Sequence, residues 1–168
     1  IRTRAAEVVR LLRDENTYVA GSDAECIIVD PGAPWSAISQ LVRGRKVAAV
    51  LVTHTHIDHI AGVDEVRAAT AAPVYAPAGE EDGFTDPAIN LSALFGRPVS
   101  LKRADRVARA GDRVEAGGIV FVALAVPGHT PGHLSWLVRL PDGGAFVFSG
   151  DALFAGTVGR TDLPRASH

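Results

Sequence analysis

Val47 to Val52 is a continuous apolar, partly β-branched run, the pattern of a strand covered on both faces. Around it the hydrophobic positions fall into short pieces punctuated by glycine and proline. Tyr18 to Ala20 and Cys26 to Val29 flank Gly21-Ser22-Asp23 and predict a hairpin or tight connection. Pro73 to Pro77 predicts a short strand, and Ile119 to Val126, Leu134 to Leu140 and Ala145 to Ser149 predict three more, the last two joined by Pro141-Asp142-Gly143-Gly144. Helical spacing appears twice: Trp35, Ile38, Leu41 and Val42 share a face of 35–42, and Val63, Val66 and Ala69 share a face of 60–70. Ala5 to Arg13 fits a short helical turn or a strand, and periodicity does not choose. Glu80 to Arg113 reads as mostly loop with a helical piece near 88–95, its charges at Arg103, Asp105, Arg106, Arg109 and Asp112 forming a solvated face.

Strand groups alternating with helices on this scale predict an α/β fold with two sheets between helices, in one domain over 1–168. With 47% hydrophobic and 21% charged residues, the composition is that of an ordinary soluble globular protein. A formal charge of −2 offers nothing to attract nucleic acid or an anionic membrane. No apolar run approaches the ~20 residues of a membrane span, and the charged N-terminus lacks a signal-peptide core, so a cytoplasmic location is expected. The chain begins at Ile1 and contains no Met, which suggests a polypeptide incomplete at one or both ends. Cys26, the one cysteine, excludes intrachain disulfides and thiolate-rich zinc sites, and within its apolar run it reads as a small buried thiol.

Chemistry collects after the predicted strands. Thr53 to His59 reads T-H-T-H-I-D-H, placing His54, His56, Asp58 and His59 on one short stretch. Such density is disfavoured by repulsion and desolvation unless a cation sits among the side chains. Residues 127–133 read P-G-H-T-P-G-H, where two glycines and two prolines around His129 pre-position an imidazole. Gly150-Asp151 follows the last strand, an odd place for a carboxylate with nothing to coordinate. Asp30, held at a strand end by Pro31-Gly32, either caps a turn or supports the histidine loop. The loops at 53–59, 127–133 and 150–151 are therefore expected to converge on one rim.

These motifs resemble the metallo-β-lactamase-fold hydrolases: V-D-P-G at 29–32, T-H-T-H-I-D-H at 53–59 with Gly62, P-G-H-T-P-G-H at 127–133, and G-D-A-L-F at 150–154. G-T-V-G-R-T-D-L-P at 156–164 is similar to the glyoxalase II-like (hydroxyacylglutathione hydrolase-like) branch. The resemblance implies a metallo-β-lactamase-like αββα sandwich of two mixed sheets flanked by helices, with the C-terminal part truncated. It implies His54, His56 and His129 on a first metal, Asp151 bridging to a second, and Asp58 and His59 on that second metal. Zinc is expected, and the same donors suit iron or manganese. Asp58 and Asp151 would be catalytic, and a metal-activated hydroxide would cleave a small-molecule thioester such as a hydroxyacyl-glutathione. Two-metal members take a further histidine from beyond G-D-x-L-F, whereas this chain stops at His168, itself read as a solvated or helix-entry residue, so the second site is expected to be incomplete. Arg160 could pair a substrate carboxylate or simply Asp162. His133 is expected to brace the loop without ligating. The alternative implied by resemblance is a mono-iron persulfide dioxygenase using His54, His129 and Asp151.

Overall fold

The computed structural model describes residues 7–12, 16–140 and 143–166. Two β-sheets face each other. The first has six strands in chain order: β1 (Glu7–Leu12), β2 (Asn16–Gly21), β3 (Glu25–Val29), β4 (Lys46–Leu51), β5 (Val74–Pro77) and β6 (Arg106–Ala108). β1 to β3 are antiparallel neighbours, and β3 to β6 run parallel. The strand alternative for the N-terminal segment is thus realised. The second sheet, in the order β10 (Ala145–Phe148), β9 (Leu134–Arg139), β8 (Ile119–Ala125), β7 (Arg113–Ala116), is antiparallel throughout, so only the first is mixed. A short hairpin, β11 (Leu153–Phe154) with β12 (Thr157–Val158), follows.

Alternation along the strands builds two cores. On β3, Ile27 and Val29 face the second sheet and pack with Leu51, Phe121, Trp136 and Val138. Cys26 and Ile28 face the other way, toward helices α1 (Trp35–Val42), α2 (Ile57–Ile60) and α3 (Val63–Thr70), meeting Ile38, Ile60, Val63 and Val66. Val50 is buried with Ile28, while Ala49 and Leu51 lie with Ile27, so β4 is covered on both faces as its sequence predicts. Among the described residues these helices lie against the first sheet alone, and none is long and apolar enough to cross a membrane.

Three departures from the sequence reading have local causes. The helix expected over 60–70 begins only at Val63, and Ile60 instead closes a separate turn, Ile57–Ile60; between them the Gly62 N–H donates to Pro31 O at 2.7 Å, and an added Cβ would stand 2.0 Å from Ala33 O. The helical piece near 88–95 reduces to a 3₁₀ turn at Ser92–Phe95, with another at Glu81–Phe84. The stretch read as loop also contains β6 and the start of β7. Pro141 and Asp142 of the predicted turn lie outside the described residues, although β9 and β10 do pair as expected.

Candidate metal centre

Because β3, β4 and β5 are parallel, their C-terminal ends share one edge, the usual site of ligand chemistry in such sheets. Asp30 follows β3, the histidine loop follows β4, and Glu80 lies just beyond β5. The second sheet joins this rim where Leu134 N–H donates to Thr53 O (2.8 Å) and the Trp136 indole N–H to Val52 O (3.3 Å). His129, from the loop between β8 and β9, and Asp151, just after β10, are thereby brought to the histidines.

Three ring nitrogens converge. His56 Nδ1 lies 3.1 Å from His54 Nε2 and 3.0 Å from His129 Nε2. A second group combines His54, His59 and Asp151, so His54 belongs to both. Asp151 Oδ1 is 3.2 Å from His59 Nε2, and its Oδ2 is 3.6 Å from His129 Nε2, one oxygen toward each group. Asp58 is more peripheral, half exposed with Oδ2 3.9 Å from His59 Nε2.

Hydrogen bonds behind the rings fix which nitrogen faces inward. Asp30 Oδ1 accepts the Thr53 N–H (2.7 Å), and Oδ2 accepts the Thr53 hydroxyl (2.7 Å) and His59 Nδ1–H (3.0 Å). With its proton given to Asp30, the Thr53 hydroxyl oxygen accepts from His54 Nδ1 at 3.2 Å. His129 Nδ1 donates to Arg160 O at 2.9 Å. In all three rings the partner behind Nδ1 holds a proton there, so Nε2 is the nitrogen turned to the cluster. Asp30 holds this arrangement at φ 48°, the left-handed region uncommon for a non-glycine residue.

The electrostatics agree. Burial, with neighbouring imidazoles adding to it, pushes His54 well below the usual histidine range and His56 to about 3, so both are neutral donors. At His59 burial opposes the charged ring, but the carboxylates of Asp30, Asp151 and Asp58 outweigh it and raise its pKa. At Asp151 burial acts upward and is outweighed by the hydrogen bond and charge of His59, which hold the carboxyl below its usual range. Neutral His54 and His56 beside an ionised Asp151 fit a divalent cation, which would take the place of the proton that His59 Nε2 turns toward Asp151.

His133 stacks on His54, with ring centroids 4.9 Å apart and an interplanar angle of 20°. Neither of its ring nitrogens has a hydrogen-bond partner among the described residues, and burial pushes its pKa down to about 3. Arg160 directs its guanidinium to Asp162 (2.6 and 2.9 Å) and reaches the histidines through its carbonyl rather than its side chain. His168 lies outside the described residues. Sequence reasoning missed Asn16, Tyr18 and Phe154, which line a cavity of about 130 Å³ beside Asp58, His59 and Asp151. It also missed Glu80, although the placement of chemistry after strand ends could have flagged a carboxylate three residues beyond β5.

A mixed and an antiparallel sheet that meet at a candidate His/Asp cation site are an architecture suited to a metal-dependent hydrolase. The profile of the metallo-beta-lactamase superfamily matches residues 11–168, and the chain belongs to that superfamily. It is 38% identical over 151 residues to a probable metallo-hydrolase, YqgX, of Bacillus subtilis, covering 88% of this chain and 70% of that protein. It is 35% identical over 159 residues to a hydroxyacylglutathione hydrolase of Methylobacillus flagellatus, covering 92% of this chain but 54% of that protein. Among solved structures, the BLEG-1 B3 metallo-beta-lactamase superposes with a TM-score of 0.85 at 35% identity, covering 97% of this chain and 79% of the other. TTHA1623 in a di-iron-bound form gives 0.77 at 32% identity, with 95% and 79% covered.

Proposed function

We propose that this rim holds two divalent cations and that the protein hydrolyses a thioester of the hydroxyacyl-thiol type. The carrying observation is the pair of donor groups joined by His54 and Asp151, whose two carboxylate oxygens face opposite groups. His54, His56 and His129 would hold the first cation, and Asp58, His59 and Asp151 the second, with Asp151 between them. A divalent pair would supply a Lewis acid for the scissile carbonyl and an acidified water. Zinc suits the donors, and iron is supported by the di-iron form of TTHA1623.

The protein's own groups do the rest. Burial of His54, His56, His59 and His129 keeps bulk water from the back of the site. Asp58, half exposed on the cavity wall, offers Oδ2 to take a proton from the attacking water. The similarity to a hydroxyacylglutathione hydrolase supports a thioester substrate. The mono-iron oxygenase alternative would leave His56 without a role, although its Nδ1 is as near His129 as His54.

Elemental analysis of purified protein, with parallel assays of S-lactoylglutathione hydrolysis and persulfide-dependent oxygen uptake, tests the proposal. Two metals per chain and thioester hydrolysis abolished in Asp151→Ala are expected. One iron with oxygen consumption, or undiminished hydrolysis in Asp151→Ala, would overturn it, and turnover of a β-lactam in place of the thioester would overturn the substrate class.

A further inference from the structure

We infer that Glu80 is a positioning residue for the cation site, its buried carboxylate setting the distance between the two loops that carry His54, His56 and His129. Glu80 is 2% exposed and belongs to neither group of donors. A carboxylate so placed is costly unless its oxygens are satisfied. Its oxygens are taken by the two loops: Oε2 accepts the Thr55 hydroxyl at 3.0 Å and Oε1 accepts the Gly132 N–H at 2.9 Å.

The positions of those partners give the bond its consequence. Thr55 stands between His54 and His56, and Gly132 between His129 and His133. The same Thr55 hydroxyl also lies 3.2 Å from the Glu80 carbonyl, which in turn accepts the Gly83 N–H at 3.0 Å. Close backbone approach is built in on both sides. A Cβ at Gly83 would fall 2.0 Å from Thr55 Oγ1, and one at Gly132 would fall 2.5 Å from Ala78 O and 2.8 Å from Glu80 Cγ. One carboxylate therefore spans the gap across which His56 Nδ1 meets His129 Nε2 at 3.0 Å. Loss of either bond frees the 127–133 loop to move relative to the 53–59 loop, which changes the spacing of the imidazoles before it changes the fold.

The assignment rests on the metal-site reading above but not on any substrate. Cobalt(II) loading of the full chain, followed by chelator competition and visible absorption, is the test. Glu80→Ala is expected to weaken cobalt affinity about 10–100-fold, the usual effect of losing a group that orients ligands, and to alter the absorption envelope. Glu80→Gln, which keeps an acceptor for Gly132 N–H and a donor for Thr55 Oγ1, is expected to recover affinity to within about threefold. Thr55→Val, which removes the other end of the bond at similar volume, should shift the spectrum in the same direction and serves if Glu80→Ala does not fold. Wild-type affinity and spectrum in folded Glu80→Ala, or in Thr55→Val where the alanine variant fails to fold, would overturn the assignment. A wild-type chain that takes up no cobalt would overturn the metal-site reading itself and the assignment with it.

Discussion

Replacing Asp30 with Asn should cost metal affinity while leaving most of the fold in place. Asp30 is 1% exposed and accepts three hydrogen bonds, from Thr53 N–H, the Thr53 hydroxyl and His59 Nδ1. In the Asn variant the Thr53 N–H fixes the amide oxygen at the Oδ1 position, so the amide nitrogen must occupy the Oδ2 position and donate. His59 Nδ1 then becomes an acceptor, and the ring's proton is fixed at Nε2, the atom a cation would otherwise bind. The expected loss is about 10–100-fold in affinity for the cation that His59 would hold, or about 1.4–2.7 kcal/mol. Asp30→Ala is harsher: it strands buried donors at about 1–3 kcal/mol each, a large part of the roughly 5–15 kcal/mol available to a domain. The Asn variant is therefore the informative one. Long-range nitrogen–proton NMR of the imidazoles reads the tautomer, and chelator competition reads the affinity. Affinity within about threefold of wild type, with His59 still protonated at Nδ1, would refute the reasoning.

Gly150→Ala should disrupt the site from below, because at φ 50° its Cβ would meet Thr53 Oγ1 at 2.3 Å and His133 Nε2 at 3.0 Å. Thermal denaturation should show a loss of more than about 1 kcal/mol, with reduced metal stoichiometry by elemental analysis; unchanged melting would contradict the packing. Arg160→Ala should leave metal content and melting unchanged, since the contact with His129 is made by the carbonyl. Any effect on a thioester assay should appear in KM for anionic thiol carriers, and loss of bound metal would count against the geometry. Cys26, fully buried and with its thiol pushed up to about 11 by burial, should resist alkylation by iodoacetamide at pH 8 in the folded protein and react readily in guanidinium. Rapid labelling of native protein would show that the packing around β3 is wrong.

Much of this arrangement was legible because its signals are local. The helix over 35–42 lies where its apolar face predicts, ending at Arg43 in the left-handed region. Five of the six ligand candidates meet on one rim, with Asp58 at its edge, because strand ends carry them there, which alternating hydrophobic and polar stretches reveal. Other features depend on non-local contacts. β6 and β7, at three and four residues with exposed arginines, bury too little to show a period, and β6 is defined by its parallel pairing with β5. The role of Glu80 is set by partners 25 and 52 residues away, and that of Arg160 by a carbonyl common to every residue type. The need for glycine at 62 is set by Pro31 and Ala33, about thirty residues earlier in the chain, and no local pattern carries it.

The donors of the candidate site belong to both halves of the sandwich: His54, His56 and His59 hang from the first sheet, His129 and Asp151 from the second. A cation held there acts as a rivet across the seam, and opening the sheets must first break its coordination. Binding and folding then become linked equilibria: at a free metal concentration 1,000 times the dissociation constant, the closed sandwich gains about 4 kcal/mol. Metal supply would thus govern how long the protein survives as well as whether it reacts, and chelation should lower its melting temperature as well as its turnover.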